Sequence, residues 1–328
     1  MRHSRLAVRL LVAGAALVAA VTTIVVTAPS AEAAGARVVA VWTEPRAGYG
    51  FVDAAIAGAR HSIDLSMYEL TDPTIIAGLE TAQRRGVRVR VILDRAYHGG
   101  DENQDAYAAL SHGGVTVRWA PATTIYHAKY MVVDSARAYV GTGNFTSQWY
   151  TTTRDFWVED TSPADVRAIE RVFTADVTGR LVRVTNTASL VWSPGAEGYL
   201  EGLINRAHHS LLIETEEMYS YGIEDALVVA AQRGVRVTLV MTRSTSDASD
   251  LAYLASHGVH VVEVPTSRLY IHAKVICVDC IGGRGTAFVG SQNFSTASLD
   301  YNRELGVVTN DPLVVRAIDT TVRTDARR

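Results

Sequence analysis

His127-Ala128-Lys129-Tyr130-Met131-Val132-Val133-Asp134 decides how the rest of the chain is read, because it returns as His272-Ala273-Lys274-Val275-Ile276-Cys277-Val278-Asp279. Each copy runs on to a short stretch that opens on glycine and carries an asparagine: Gly141-Thr142-Gly143-Asn144-Phe145-Thr146 and Gly290-Ser291-Gln292-Asn293-Phe294-Ser295. Both motifs lead straight into aliphatic residues, so each is expected on a strand, where side chains alternate between faces. Counting along the strand puts His127 and Lys129 on one face and Asp134 on the other. His272, Lys274 and Asp279 follow the same parity. Each His and Lys is therefore expected to project into a site, and each Asp to serve structure behind it.

The repetition extends outward from the motifs. Ser62-Ile63-Asp64-Leu65-Ser66-Met67-Tyr68 answers to Ser210-Leu211-Leu212-Ile213-Glu214, and a short run with helical apolar spacing precedes each, at 52–56 and 200–204. Gln83-Arg84-Arg85-Gly86-Val87-Arg88-Val89 matches Ala231-Gln232-Arg233-Gly234-Val235-Arg236-Val237: a helix closed by glycine, then a strand. Ser111-His112-Gly113-Gly114-Val115 likewise matches Ser256-His257-Gly258-Val259. This alternation predicts an α/β protein of two halves, residues 34–185 and 186–328, with mixed, mainly parallel sheets. The junction is expected in the polar stretch around 185–198.

A phosphodiester needs a nucleophile, donors for its non-bridging oxygens and an acid for the leaving oxygen. Two His, two Lys and two Asn meeting across a pseudo-twofold axis would supply all three without a metal or other cofactor. Acids follow each motif: Asp155 lies 28 residues after His127, and Glu304 lies 32 after His272, the difference being a four-residue insertion around Gly282–Gly285. A carboxylate on the second imidazole nitrogen would set the tautomer and stabilise the imidazolium.

Both motifs resemble the HxKxxxxD signature of the phospholipase D superfamily, with the Gly-Ser-x-Asn extension that follows it. Ser62–Tyr68, Arg85-Gly86-Val87 and Ile92-Leu93-Asp94 are similar to that family's N-terminal framework, so the likeness spans about residues 45–320. It implies two α/β/α sandwich halves related by a pseudo-twofold axis and a covalent phosphohistidine intermediate. On this resemblance His127 is the nucleophile, and His272 the general acid and then the base. Lys129, Lys274, Asn144 and Asn293 hold the phosphoryl oxygens, Asp155 and Glu304 orient the histidines, and Asp134 and Asp279 are structural. Departures are Thr142 for the usual Ser, Asp155 where Glu is also common, and the insertion in the second half.

The chain has 328 residues, 48% hydrophobic and 20% charged, a composition that can fill a core and does not suggest disorder. Arg2, Arg5 and Arg9, the apolar run 10–28 and Ala31-Glu32-Ala33 read as a signal peptide over residues 1–33, with an uncleaved membrane anchor as the rival. The mature protein is then secreted. Three Arg and one Glu leave with that segment, taking the formal charge from −3 to −5. The acidic balance favours a phospholipid substrate at a membrane surface, with hydrolysis of the head group or its transfer to an alcohol. Nucleic acid, which rewards clustered Lys and Arg, is the alternative substrate, for a metal-independent endonuclease. A cardiolipin synthase-like phosphatidyltransferase and a non-catalytic binding module rank below these. Both motifs sit in one chain, so a monomer is expected to be active.

Cys277 and Cys280 are too few for a zinc site; a local disulfide and two buried thiols both remain open. The other histidines, His98 among them, read as structural or surface residues. Met67, Tyr68 and Trp119 read as core or cleft wall, and Gly282–Gly285 as a hairpin turn.

Overall fold

The computed structural model describes residues 37–180 and 182–328, and the segment read as a signal peptide lies outside them. Two seven-stranded sheets carry the chain. The first runs, in spatial order, Val38–Thr43, Phe156–Asp160, Arg137–Gly141, Tyr130–Val133, Ser62–Met67, Arg88–Leu93 and Thr116–Trp119. The second has the same order of equivalents: Leu190–Ser193, Glu304–Thr309, Arg284–Gly290, Lys274–Ile281, Ser210–Thr215, Arg236–Thr242 and His260–Val264. The sequence repeat is thus a repeat of topology.

Strand direction refines the expectation of mainly parallel sheets. Five of the seven strands in each sheet point one way, but they are interleaved so that only two of six neighbouring pairs are parallel. The parallel pairs are those joined through helical crossovers, such as Ser62–Met67 with Arg88–Leu93. One antiparallel pair in each sheet, Tyr130–Val133 with Arg137–Gly141 and Lys274–Ile281 with Arg284–Gly290, follows from a tight return after the motif. A parallel neighbour needs a crossover of a dozen residues, and the turn at Asp134–Ser135 leaves no room for one.

Helix starts are written locally. Asp72, Ser162, Ser220 and Asp311 accept from backbone N–H groups of the first turn, and Pro follows three of them. Helices Gly50–Gly58, Pro73–Arg84 and Gln104–His112 cover the outer face of the first sheet, and Glu197–Asn205, Tyr221–Gln232 and Ala248–Ser256 that of the second. Helices Pro163–Val177 and Pro312–Asp325 share one buried cluster with residues of both sheets, including Tyr130, Trp192, Val275 and Leu305. Burying that much apolar surface between the halves makes them one folding unit.

The insertion extends the second hairpin, with Gly282 and Gly283 both left-handed (φ 61° and 83°) at its tip. A bulge at its base brings Cys277 to Cys280, and the two are joined in a buried disulfide. Among the described residues, no helix is long and apolar enough to cross a membrane.

Candidate active site

The motif histidines do not lie on the main strands, which begin only at Tyr130 and Lys274. The residues just before them pair across the halves instead. Tyr126 forms a parallel bridge with Arg303, and Tyr270–Ile271 pairs in parallel with Thr153–Arg154. The Ala128 N–H donates to the Arg303 carbonyl (3.0 Å), and the His272 N–H to that of Arg154 (3.1 Å). One residue further along each parallel pair, a histidine meets an acid from the other half. His127 Nδ1 lies 2.9 Å from Glu304 Oε2, and His272 Nδ1 lies 2.8 Å from Asp155 Oδ1. Both acids are therefore exchanged between halves, which spacing along the chain does not reveal.

Each acid is itself held. Thr142 Oγ1 donates to Asp155 at 2.6 Å, so the Thr in place of Ser keeps the hydroxyl. Ser298 and Asn302 donate to Glu304. Gly143 leaves space that only a glycine can: an added Cβ would come 2.5 Å from the Tyr49 hydroxyl and 2.8 Å from Asp155 Cγ. The Arg154 guanidinium, buried beside Asp155, ion-pairs with Asp325 (2.7 Å) and faces Glu214 (4.0 Å), tying this strand to the second half.

With Nδ1 of each ring engaged, Nε2 is left for chemistry. His127 and His272 line one cavity of about 750 Å³ together with Asn144, Asn293 and Asp155. Lys129 and Lys274 are fully buried behind it; each Nζ donates to the carbonyl of its motif histidine. Asn144 Oδ1 and Asn293 Oδ1 are buried without hydrogen-bond partners among the described residues.

Asp134 and Asp279 serve a different purpose. Asp134 accepts from the backbone N–H of His61 (2.6 Å), Ser62 (3.0 Å) and Arg60 (3.0 Å), and Asp279 from His209 (2.7 Å), Ser210 (2.8 Å) and His208 (3.0 Å). Both have left-handed backbones (φ 54° and 51°), a conformation Asp tolerates better than most residues; Asp134 sits in the turn after its strand and Asp279 at the bulge within Lys274–Ile281, so local backbone rather than strand parity places them.

Burial and neighbouring charge strongly perturb the groups around His127. Burial, together with the Lys129 and Lys274 charges, lowers His127 to about 4 despite Glu304, so its ring is neutral near pH 7. Burial and Lys274 lower Lys129 to about 7. Burial works against the charge on Glu304, but His127, Lys129 and Ser298 outweigh it and keep the carboxyl below its ordinary value.

The cavity also contains residues that the motif reading passed over. Tyr68 and Tyr270 stand beside the two histidines, and Glu69, Glu216, Glu217, Tyr49, Trp149 and Tyr150 complete much of the wall. His98, read from sequence as structural or surface, is in that wall. The helix His98–Glu102 packs so closely on the Tyr68 backbone that a Cβ on Gly99 would come 2.7 Å from the Tyr68 carbonyl. The lining residues include no Lys or Arg. Aligning the repeats two residues beyond Glu214 would have found Glu216, which stands where the first half has Tyr68.

Comparison with known proteins agrees with this architecture. The family described as cardiolipin synthase, PLD-like domain, matches residues 52–177 and again 200–325. The chain belongs to this phospholipase D-like family. It is similar to a mitochondrial cardiolipin hydrolase of Xenopus laevis, 29% identical over 118 residues, covering 36% of this chain and 55% of the relative. It is also similar to a phospholipase D of Rickettsia bellii (strain RML369-C), 30% identical over 111 residues, covering 34% and 54%. The chain thus spans about half the length of these curated relatives. Among solved structures, phosphatidylserine synthase of Haemophilus influenzae Rd KW20 superposes with a TM-score of 0.65 at 13% identity, covering 90% of this chain and 88% of that one. Polyphosphate kinase of Porphyromonas gingivalis gives 0.68 at 18%, covering 88% and 50%. At these identities the two structures establish the shared fold.

Proposed function

We propose that the protein is a phosphodiesterase that releases head groups from phospholipids through a phosphohistidine on His127. The observation that carries this reading is the pair of exchanged His–acid contacts lining one cavity. In the first step His127 Nε2 forms a bond to phosphorus while the bond to the leaving oxygen breaks, and that oxygen takes the proton from His272 Nε2. In the second, His272 takes a proton from water, the hydroxide oxygen bonds to phosphorus and the P–N bond breaks. An alcohol in place of water gives transfer. Asn144 and Asn293 meet the non-bridging oxygens, Lys129 and Lys274 supply positive charge from behind the cavity, and Glu304 and Asp155 hold the rings.

The choice of lipid rests on the cavity wall. Glu69, Glu216 and Glu217 line it and no Lys or Arg does, a poor surface for a polyanion such as DNA. Export after residue 33 completes the proposal and brings the enzyme to phospholipid outside the cell. The test is turnover by the mature protein, with EDTA present, on phosphatidylcholine vesicles and on single- and double-stranded DNA. Release of choline and phosphatidic acid with intact DNA is the expected result. DNA cleavage with untouched lipid would make the protein a nuclease, and release from cardiolipin alone would narrow the lipid class.

A further inference from the structure

One of the breaks in the repeat stands directly beside the histidines. After the equivalent strands Ser62–Met67 and Ser210–Thr215, the first half continues with Tyr68 and the second with Glu216. The Tyr68 ring packs 4.7 Å from that of His127, and Lys129 Nζ lies 4.9 Å above it. In the second half Glu216 Oε2 accepts from Lys274 Nζ at 2.7 Å and lies 3.5 Å from His272 Nε2, while Oε1 accepts from the Tyr270 hydroxyl at 2.7 Å. Hence the phenol and the carboxylate make different surroundings for two otherwise matched histidines.

We propose that Glu216 is a positioning residue that keeps a proton on His272 and thereby makes the second half of the site the acid and the first half the nucleophile. The inference rests on the phosphodiesterase reading and adds the cause of its polarity. His272 faces three carboxylates: Asp155 from the first half at Nδ1, Glu216 at Nε2, and Glu69 across the cavity, with Lys274 as the cation of its own strand. His127 has one carboxylate, Glu304, and feels both Lys129 and Lys274. Burial opposes the charge on Glu216, but His272 and Lys274 outweigh it and hold the carboxyl well below its usual range, so it is an anion wherever the enzyme works. At 3.5 Å the Glu216–Nε2 contact is longer than a good hydrogen bond. The attraction is electrostatic, and the proton stays free to pass to the leaving oxygen.

The experiment compares kcat/KM of the parent and Glu216→Gln on phosphatidylcholine and on phosphatidyl-p-nitrophenol. Both esters give the same phosphoenzyme, but p-nitrophenolate departs without needing a proton. The variant is expected to lose about tenfold or more on phosphatidylcholine relative to phosphatidyl-p-nitrophenol. Its basic pH limb on phosphatidylcholine should move down by about one unit or more, and Glu216→Asp should restore both properties. Glu216 also adds to the charge of Lys129, but a weakened Lys129 would slow both esters alike. Equal losses on the two esters, or a variant as fast as the parent on both, would overturn the inference. If the parent cleaves nucleic acid and neither lipid, the lipid reading falls. A dinucleotide against the p-nitrophenyl ester of thymidine monophosphate then decides the role of Glu216 by the same ratio.

Discussion

In the first half, a neutral histidine packs against an aromatic ring; in the second, the matching histidine lies between two carboxylates. The backbone around the two is the same, down to the parallel bridges that precede them. What differs includes Tyr68 against Glu216, the acid itself, and the hydroxyls and amides that hold each acid. Duplication supplies two equal imidazoles, but in-line displacement needs two unequal ones, an unprotonated attacker and a protonated donor. Departures from the repeat inside the cavity therefore carry more chemical information than the repeat itself.

The largest effects should come from removing either histidine. His127→Asn and His272→Asn are each expected to lower kcat on phosphatidylcholine by about 10³-fold or more. Their phenotypes should differ on phosphatidyl-p-nitrophenol. His127→Asn releases no p-nitrophenol, whereas His272→Asn gives a burst and accumulates a phosphoryl adduct, which mass spectrometry of peptides quenched in alkali and kept out of acid places on His127. An adduct on His272 would reverse the assignment of the halves.

Neutralising the acids sharpens the comparison further, with smaller losses of about 10²- to 10³-fold. Because each acid serves the opposite histidine, Asp155→Asn should behave as damage to the acid, slowing phosphatidylcholine much more than the p-nitrophenyl ester. Glu304→Gln should behave as damage to the nucleophile and slow both esters together. If the two phenotypes were interchanged, each acid would be serving the histidine of its own half, and the bridges at Tyr126–Arg303 and Ile271–Arg154 would not govern the site.

Much of this was legible in the sequence, for reasons that can be named. Strand and helix alternate with clear punctuation at Gly86 and Gly234, so the class and the repeat are written locally. The motif residues are identified by type and spacing. The exchange of acids is a property of register between segments nearly 180 residues apart for His127 and Glu304, and no local pattern encodes it. The same pairing explains why the histidines stand before their strands rather than on them. Strand direction was half legible: crossovers announce parallel neighbours, but the tight returns at Asp134–Ser135 and Gly282–Gly283 add antiparallel strands beside them. The cysteines were ambiguous because the bulge that unites them depends on the hairpin extension.

The smallest predicted effects concern stability, and here the halves should agree. Asp134 and Asp279 each gather three backbone N–H groups, and in both these bonds outweigh the effect of burial and depress the carboxyl. Asp134→Ala and Asp279→Ala should each destabilise by about 1–3 kcal/mol in urea unfolding near pH 7, leaving three donors to seek water. A depressed carboxyl contributes stability that is present above its unfolded value of about 3.9 and is lost as pH falls through the lower folded value. The stability difference between parent and variant should therefore narrow below about pH 4 in both halves alike. A difference that persists unchanged at lower pH would mean that the side chains act by shape rather than by charge. A difference confined to one half would mean that the repeat, intact in the backbone, has diverged in its supports as well as in its chemistry.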